Sequence, residues 1–250
     1  TNLTQQLTAI LPQDLTHEKI FLSLRNHHPA PFSSFIRRND DVVISASPER
    51  FLRVEGKIIT TNPIKGTRPR GSNPEEDGQL QNELLVSEKD RAENIMIVDL
   101  LRNDIGRVCE FGSVEVEKLC ELEKHPSLFH LVSTVSGKLR ESISLSDILR
   151  ATFPCGSITG APKIRTMKII DEIETAPRGL SMGAIGFIDF DKTIDLSVAI
   201  RTMVIRERLA IFNVGGGIVI DSDPQSEYEE TLTKAKAILN AKKKKTEDLQ

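Results

Sequence analysis

Residues 2–8, Asn-Leu-Thr-Gln-Gln-Leu-Thr, read as a strand that starts with no turn or cap before it. From Leu15 to Asn26 the apolar positions recur at helical spacing and stop before His28-Pro29. Pro31–Ile36, Asp41–Ser45 and Arg50–Ile59 alternate or cluster β-branched residues, and Glu55-Gly56-Lys57 predicts a hairpin tip in the third. Prolines, glycines and polar neighbours from Pro63 to Gly78 predict a loop. One long helix is predicted over 83–103, with Ile95-Met96-Ile97-Val98 apolar on every side and therefore buried.

Further strands are predicted over 113–119 and 128–139. Ser146 predicts the cap of a short helix that ends near Ala151. Thr159-Gly160-Ala161-Pro162 has the form of a helix start, and that helix should run to about Glu174. Two strand pairs follow, 183–189 with 196–206 and 209–214 with 218–220. Asp223-Pro224 opens a last helix that reaches Lys242-Lys243-Lys244-Lys245, a solvated helix end favoured by the dipole. With no internal repeat and no linker, the pattern predicts one α+β domain over 1–250 with many strands.

Composition narrows the function classes. The 250 residues carry 33 Lys+Arg against 36 Asp+Glu, a formal net charge of -3. That balance argues against nucleic acid as a partner, and no Trp with a single Tyr removes base-stacking platforms. No apolar run is long enough for a membrane span, so no membrane role is expected. Cys109, Cys120 and Cys155 lack metal-ligand spacing and read as reduced core thiols. With no signal peptide in the first residues, they suggest a cytoplasmic protein.

Several segments could carry chemistry. Asn62-Pro63-Ile64-Lys65-Gly66-Thr67-Arg68-Pro69-Arg70-Gly71 is either a solvated basic loop or an anion-binding or nucleophilic one. Desolvation of an amine inside a proline-fixed turn favours its neutral, attacking form. Asp90 and Glu93 share a face of the predicted helix, either as salt-bridge partners of Arg91 or Lys89 or as metal ligands. Glu227, Glu230 and Lys234 form one stripe of the last helix, beside an apolar stripe of Tyr228, Leu232, Ala235 and Leu239. Gly215-Gly216-Gly217 is a hairpin turn or a backbone surface open to a ligand. Arg201, flanked by apolar residues, needs an anion from the protein or from a ligand. The helix start at Thr159–Lys163 adds another anion-favouring position. Two acidic pairs with several anion-directed groups suggest a hard cation such as Mg²⁺ and a carboxylate-bearing substrate.

Ser47-Pro48-Glu49-Arg50, Pro63-Ile64-Lys65-Gly66-Thr67-Arg68 and Ala92-Glu93-Asn94-Ile95-Met96-Ile97-Val98-Asp99-Leu100 resemble motifs of the chorismate-utilising enzymes. So do Phe153-Pro154, Thr159-Gly160-Ala161-Pro162-Lys163, Ile200-Arg201-Thr202, Gly215-Gly216-Gly217-Ile218-Val219, Asp221-Ser222-Asp223-Pro224 and Glu227-Tyr228-Glu229-Glu230-Thr231. The resemblance implies the family's α+β fold, two facing β-sheets with helices packed outside. It implies Glu49 as general acid and Glu93 and Glu230 as Mg²⁺ ligands, supported by Asp90 and Glu227. Gly66, Thr67, His130, Thr159, Arg201, Gly215, Gly216, Gly217 and Lys234 fall on substrate-binding positions. Most of the family has Ala where Lys65 stands. Lys there resembles the aminodeoxychorismate synthase subgroup, and implies attack of Lys65 on C2 of chorismate with loss of the 4-hydroxyl. Ammonia, supplied by a glutamine amidotransferase, would then yield 4-amino-4-deoxychorismate for 4-aminobenzoate and folate biosynthesis. Anthranilate synthase, isochorismate synthase and a non-catalytic chorismate-binding fragment are the alternatives. The resemblance also implies that the family's first helix and N-terminal region lie outside this sequence. Residues 241–250 would form a basic tail, and Ser181 replaces an aromatic substrate contact.

Overall fold

The computed structural model describes residues 1–126 and 128–240, with side chains as far as Ala235. The expected basic tail over 241–250, its lysine run and the Leu239 side chain lie outside the described residues. In chain order come β1 (Asn2–Ile10), α1 (His17–His27), β2 (Phe32–Arg37), β3 (Val42–Ser47), β4 (Arg50–Glu55), β5 (Ile58–Asn62) and β6 (Ile64–Pro69). Then follow α2 (Pro74–Val86), α3 (Glu88–Gly106), β7 (Glu115–Lys124), β8 (Leu128–Lys138), α4 (Leu145–Thr152), α5 (Gly156–Thr159) and α6 (Lys163–Ile173). The chain continues through β9 (Ala184–Ile188), β10 (Ile194–Val198), β11 (Thr202–Arg206), β12 (Leu209–Gly217) and α7 (Pro224–Asn240). The α+β class is borne out.

The chain divides into two compact units. The first comprises Thr1–Pro48, Thr166–Ile185 and the chain from Val198 onward; the second comprises Glu49–Arg165 and Gly186–Ser197. The first unit holds a five-stranded sheet in the order β1-β12-β11-β3-β2. Its pairings are antiparallel. Ile20 and Leu24 of α1 and Ala235 of α7 pack on Val42, Ile44, Met203, Ile205, Phe212 and Val214 in one apolar core. Thr16 caps α1 by accepting a hydrogen bond from the Lys19 amide. The second unit holds a seven-stranded sheet in the order β6-β8-β5-β4-β10-β9, with β7 also on β8. Leu84 of α2 packs there with Phe129 and Leu131 of β8.

Four expectations are corrected. The predicted helix over 83–103 is two helices, because Ser87 is extended (φ -65, ψ 104) and caps both. Its amide bonds back to the Leu84 carbonyl, while its hydroxyl accepts from the Asp90 amide. The predicted loop over 63–78 contains a strand and a helix start. Residues 64–69 pair with β8, and Asn73 accepts from the Glu76 amide with Pro74 in the first turn. Pro69 is tolerated because it ends an edge strand. The predicted strand over 196–206 is broken into β10 and β11, with Arg201 left-handed (φ 49) between them. The glycine run is no turn. It extends β12, with Gly215, Gly216 and Gly217 opposite Thr4, Leu3 and Asn2, and 218–220 form no strand. A Cβ at Gly215 would lie 1.9 Å from the Leu3 carbonyl oxygen, so only glycine lets β1 approach.

Three smaller differences follow the same logic. Ser144 rather than Ser146 caps α4, in a reciprocal capping box with Asp147. Ile95 and Met96 are exposed while Ile97 and Val98 are buried, so α3 is one-sided. Tyr228 is exposed, which narrows the apolar stripe of α7 to Leu232 and Ala235 among its described side chains. All three cysteines are free and buried.

Candidate functional site

In the second unit, β6 supplies the first group. Its ladder with β8 pairs Ile64 with Val132 and Thr67 with His130, with a bulge between. The bulge takes Lys65 and Gly66 out of regular pairing, as bulges near reactive sites commonly do. Gly66 adopts φ +84, and a Cβ there would lie 3.0 Å from Cβ of Asp90, so glycine is required twice over. Thr67 Oγ1 hydrogen-bonds Nδ1 of the buried His130 at 2.9 Å.

Glu49 is only 5% exposed and sits where β4 begins. Its Oε1 accepts from the Ile64 amide at 3.5 Å. Burial pushes its pKa up, opposed by a hydrogen bond from Ser157, by the charge of Lys65 and by the Ile64 amide. A carboxyl so placed holds its proton further toward neutral pH than a solvated one. The amine of Lys65 is half-buried and close enough for its charge to act on Glu49.

The acidic face of α3 follows from the Ser87 cap. Asp90 does not pair with Arg91 or Lys89. Arg68 donates to it at 3.2 Å while also binding Glu83. Glu93, one turn on, is half-buried, and its carboxylate has no ion-pair partner among the described residues. Thr159 is buried, its hydroxyl donating to the Cys155 carbonyl at 3.0 Å. Lys163 is committed elsewhere, forming a buried ion pair with Asp104 and a hydrogen bond to the Thr152 carbonyl. The expected anion-favouring helix start therefore loses its cation to the fold.

In the first unit, the stripe on α7 faces the glycine strand. Lys234 Nζ donates to the Gly215 carbonyl at 3.2 Å and pairs with Glu230 at 2.7 Å. Glu227 is buried and accepts from the Ser222 hydroxyl at 2.7 Å. A Cβ at Gly216 would lie 3.5 Å from Glu227 Oε2 and 3.8 Å from Lys234 Nζ. The strand thus presents backbone to these two side chains. Arg201 is held left-handed, a conformation that non-glycine residues seldom take. Desolvation lowers its pKa, and no carboxylate among the described residues pairs with it. His28, whose pKa is lowered first by burial and then by the charge of Arg201, lies within its field.

Among the described residues no three His, Cys, Asp or Glu side chains gather as a metal site. The expected ligands stand as Asp90 and Glu93 on one helix and Glu227 and Glu230 on another. Their donors are all carboxylate oxygens, the set a hard cation takes, and the Glu93 carboxylate has no ion pair among the described residues. Sequence reasoning missed Arg68 as the partner of Asp90, Ser222 as the partner of Glu227, and Ser157 beside Glu49. Only the proximity of Ser222 to Glu227 in the chain offered a signal.

A sequence profile described as chorismate binding enzyme matches residues 1–240, and the chain belongs to that family. Its relatives include aminodeoxychorismate synthase component 1 of Klebsiella aerogenes, 48% identical over 96% of this chain and 52% of that one. Anthranilate synthase component 1 of Aquifex aeolicus is 46% identical over 90% of this chain and 45% of that one. The crystal structure of anthranilate synthase component I from Streptococcus pneumoniae matches with a TM-score of 0.86 and 41% identity, over 95% of this chain and 52% of that one. The chain spans about half the length of these relatives.

Proposed function

We propose that this chain carries the chorismate-aminating centre of an aminodeoxychorismate synthase. The observation that carries the reading is Lys65 in the β6 bulge, close to the buried Glu49. The neutral amine of Lys65 attacks C2 of chorismate, the ring double bonds shift, and the C4–O bond breaks. Glu49, holding a proton, gives it to the departing hydroxyl, which leaves as water. Lys65 loses a proton as its C–N bond forms. Ammonia then bonds to C4, the double bonds shift back, and the bond to Lys65 breaks as the amine regains a proton. The net change is chorismate plus ammonia to 4-amino-4-deoxychorismate plus water.

The remaining residues bind and orient. In the second unit, the Gly66 backbone, Thr67, His130 and Thr159 line the substrate ring. In the first, Arg201, Lys234 and the backbone of Gly215–Gly217 take anionic groups. Glu93 and Glu230, with Asp90 and Glu227, are the carboxylates proposed to hold Mg²⁺, which when bound would supply positive charge for a substrate carboxylate. The name component 1 on the relatives implies a further component; we propose that it is a glutamine amidotransferase delivering ammonia, with the chain acting in the cytoplasm on a route to 4-aminobenzoate and folate.

Anthranilate synthases among the relatives favour a second reading, direct formation of anthranilate with loss of pyruvate. Chromatography and mass spectrometry of products from chorismate, Mg²⁺ and ammonium separate the two. Release of 4-aminobenzoate only after addition of a 4-amino-4-deoxychorismate lyase supports amination; anthranilate without the lyase overturns it. With ammonia withheld, intact-protein mass spectrometry should show an adduct of chorismate minus one water. Peptide mapping should place it on Lys65, and Lys65→Ala should abolish it.

A further inference from the structure

Asn94 lies in α3 one residue after Glu93 and is fully buried. A buried side-chain amide is costly unless both of its halves are hydrogen-bonded. Here both are. Nδ2 donates to the Leu131 carbonyl of β8 at 3.3 Å, and Oδ1 accepts from the Ser133 hydroxyl at 2.5 Å. Ser133 is itself fully buried, and its hydroxyl also accepts from the Cys120 amide at 2.9 Å. That amide falls in a bulge of β7: Lys118 pairs with Thr134 and Glu121 with Val132, so Leu119 and Cys120 oppose Ser133 alone. The backbone amide of Ser133 donates to the Pro63 carbonyl at 3.1 Å, two residues before Lys65. One residue of β8 thus ties together α3, the β7 bulge and the entry to β6.

We propose that Ser133 and Asn94 are positioning residues for Lys65: their buried hydroxyl–amide pair fixes where α3 sits against the β6 bulge that carries the amine. This inference rests on the reading of Lys65 as the nucleophile. Helix and bulge touch closely, since a Cβ at Gly66 would lie 3.0 Å from Cβ of Asp90. Asp90 and Glu93 are within about one turn of Asn94, so any slide or rotation of the helix carries them along. The apolar contacts of Ile97, Val98 and Leu101 hold α3 down without fixing its register, because burial is non-directional. The Lys163–Asp104 pair acts near the far end of the helix. Arg68, which reaches Asp90, is a long, partly exposed side chain that can follow a moving helix. The two hydrogen bonds of the Asn94 amide are directional and lie in the turn beside the bulge. Without the Ser133 hydroxyl, Asn94 Oδ1 and the Cys120 amide lose their partner, and α3 moves to satisfy them.

Ser133→Ala removes the hydroxyl. Ser133→Cys, closer in shape and a weaker hydrogen-bonding group, carries the same test where the alanine variant does not fold. In either, kcat with chorismate and ammonium should fall about 10- to 100-fold, the loss that a misplacement of about 1 Å brings, while KM for chorismate changes less than about threefold. The adduct at Lys65, formed with ammonia withheld, should appear more slowly by the same factor. Labelling of Lys65 by trinitrobenzenesulfonate, followed by peptide mass spectrometry, needs no alignment and should stay within about twofold of wild type. Labelling that falls in step with kcat overturns the proposal, because the amine itself rather than its placement has then changed. An unchanged kcat in a folded variant overturns it as well. Crystal structures of wild type and variant give a readout without turnover. The separation of the Asp90 and Gly66 Cα atoms should change by at least about 0.5 Å, the tolerance of a reacting geometry. An unchanged separation overturns the role. A wild-type protein that leaves chorismate intact, while that separation still shifts in the variant, would sink the chorismate reading and leave the Ser133–Asn94 hold on α3 standing.

Discussion

At the scale of single residues, the proposed centre of the second unit rests on one buried carboxyl whose pKa burial raises and one lysine kept off the sheet ladder. Glu49→Gln keeps the shape and removes the transferable proton. It should lower kcat by roughly 10²- to 10⁴-fold while leaving chorismate binding nearly unchanged, because a general acid acts mainly in the transition state. Steady-state kinetics with a direct binding measurement check it; a proportional loss of affinity with an intact maximal rate would make Glu49 a binding residue only. A second residue reports on the fold by titration. Asp77 receives both guanidinium arms of Arg70 at 2.7 Å and the Gly71 amide at 2.9 Å. The Arg70 hydrogen bonds, opposed by desolvation, lower its pKa from 3.8 to about 2. The folded state binds that proton more weakly than the unfolded chain does. The contribution is therefore complete above pH 3.8 and fades as pH falls toward about 2. Thermal midpoints of wild type and Asp77→Asn should differ at pH 5 and converge at the acid end of that window.

At the scale of elements, the glycine strand is the most exacting fit. Gly215→Ala would put a methyl carbon 1.9 Å from the Leu3 carbonyl, so β1 or β12 must shift. The cost should be about 1–3 kcal/mol, as for other overpacked positions, read as a lower denaturant midpoint at constant slope. Amides of β1 should also lose hydrogen-exchange protection. This strand shows why local reading went astray. Three glycines between apolar runs have the chemistry of a turn, and only the long-range pairing with β1 makes them strand. The same holds for 64–69, where prolines and a bulge disguise an edge strand whose partner lies some sixty residues away. Ser87 was legible in principle, since a serine followed three residues later by Asp90 is a cap pattern. The surrounding helical periodicity masked it. Strands with plain alternation, β2 to β5 among them, and the capped helix α1 were readable from local pattern alone.

At the scale of the whole molecule, a continuous family match over 1–240 runs through two units of interleaved chain. The motifs that carry the resemblance were visible in the sequence because chemistry restricts residue type. The partners of those residues were not visible: Arg68 for Asp90, Ser222 for Glu227 and Ser157 for Glu49 follow from tertiary placement. The candidate Mg²⁺ ligands lie on two helices, α3 and α7, so the metal reading is tested at both. Glu93→Gln and Glu230→Gln should each raise the Mg²⁺ concentration needed for half-maximal turnover. Unaltered Mg²⁺ titrations in both variants would remove the metal assignment.

The bulge in β6 bears on how such proteins diverge. Ile64 and Thr67 keep their ladder partners on either side of Lys65 and Gly66, so the side chain of Lys65 is not tied to regular pairing with β8. A replacement at Lys65 should leave the register of β6 on β8 untouched. Relatives named for two different products stand at 48% and 46% identity to this chain, almost equidistant. On the proposed chemistry of Lys65, such a scaffold would exchange one product for another through a single codon, and selection on the product need not wait for the fold to be rebuilt.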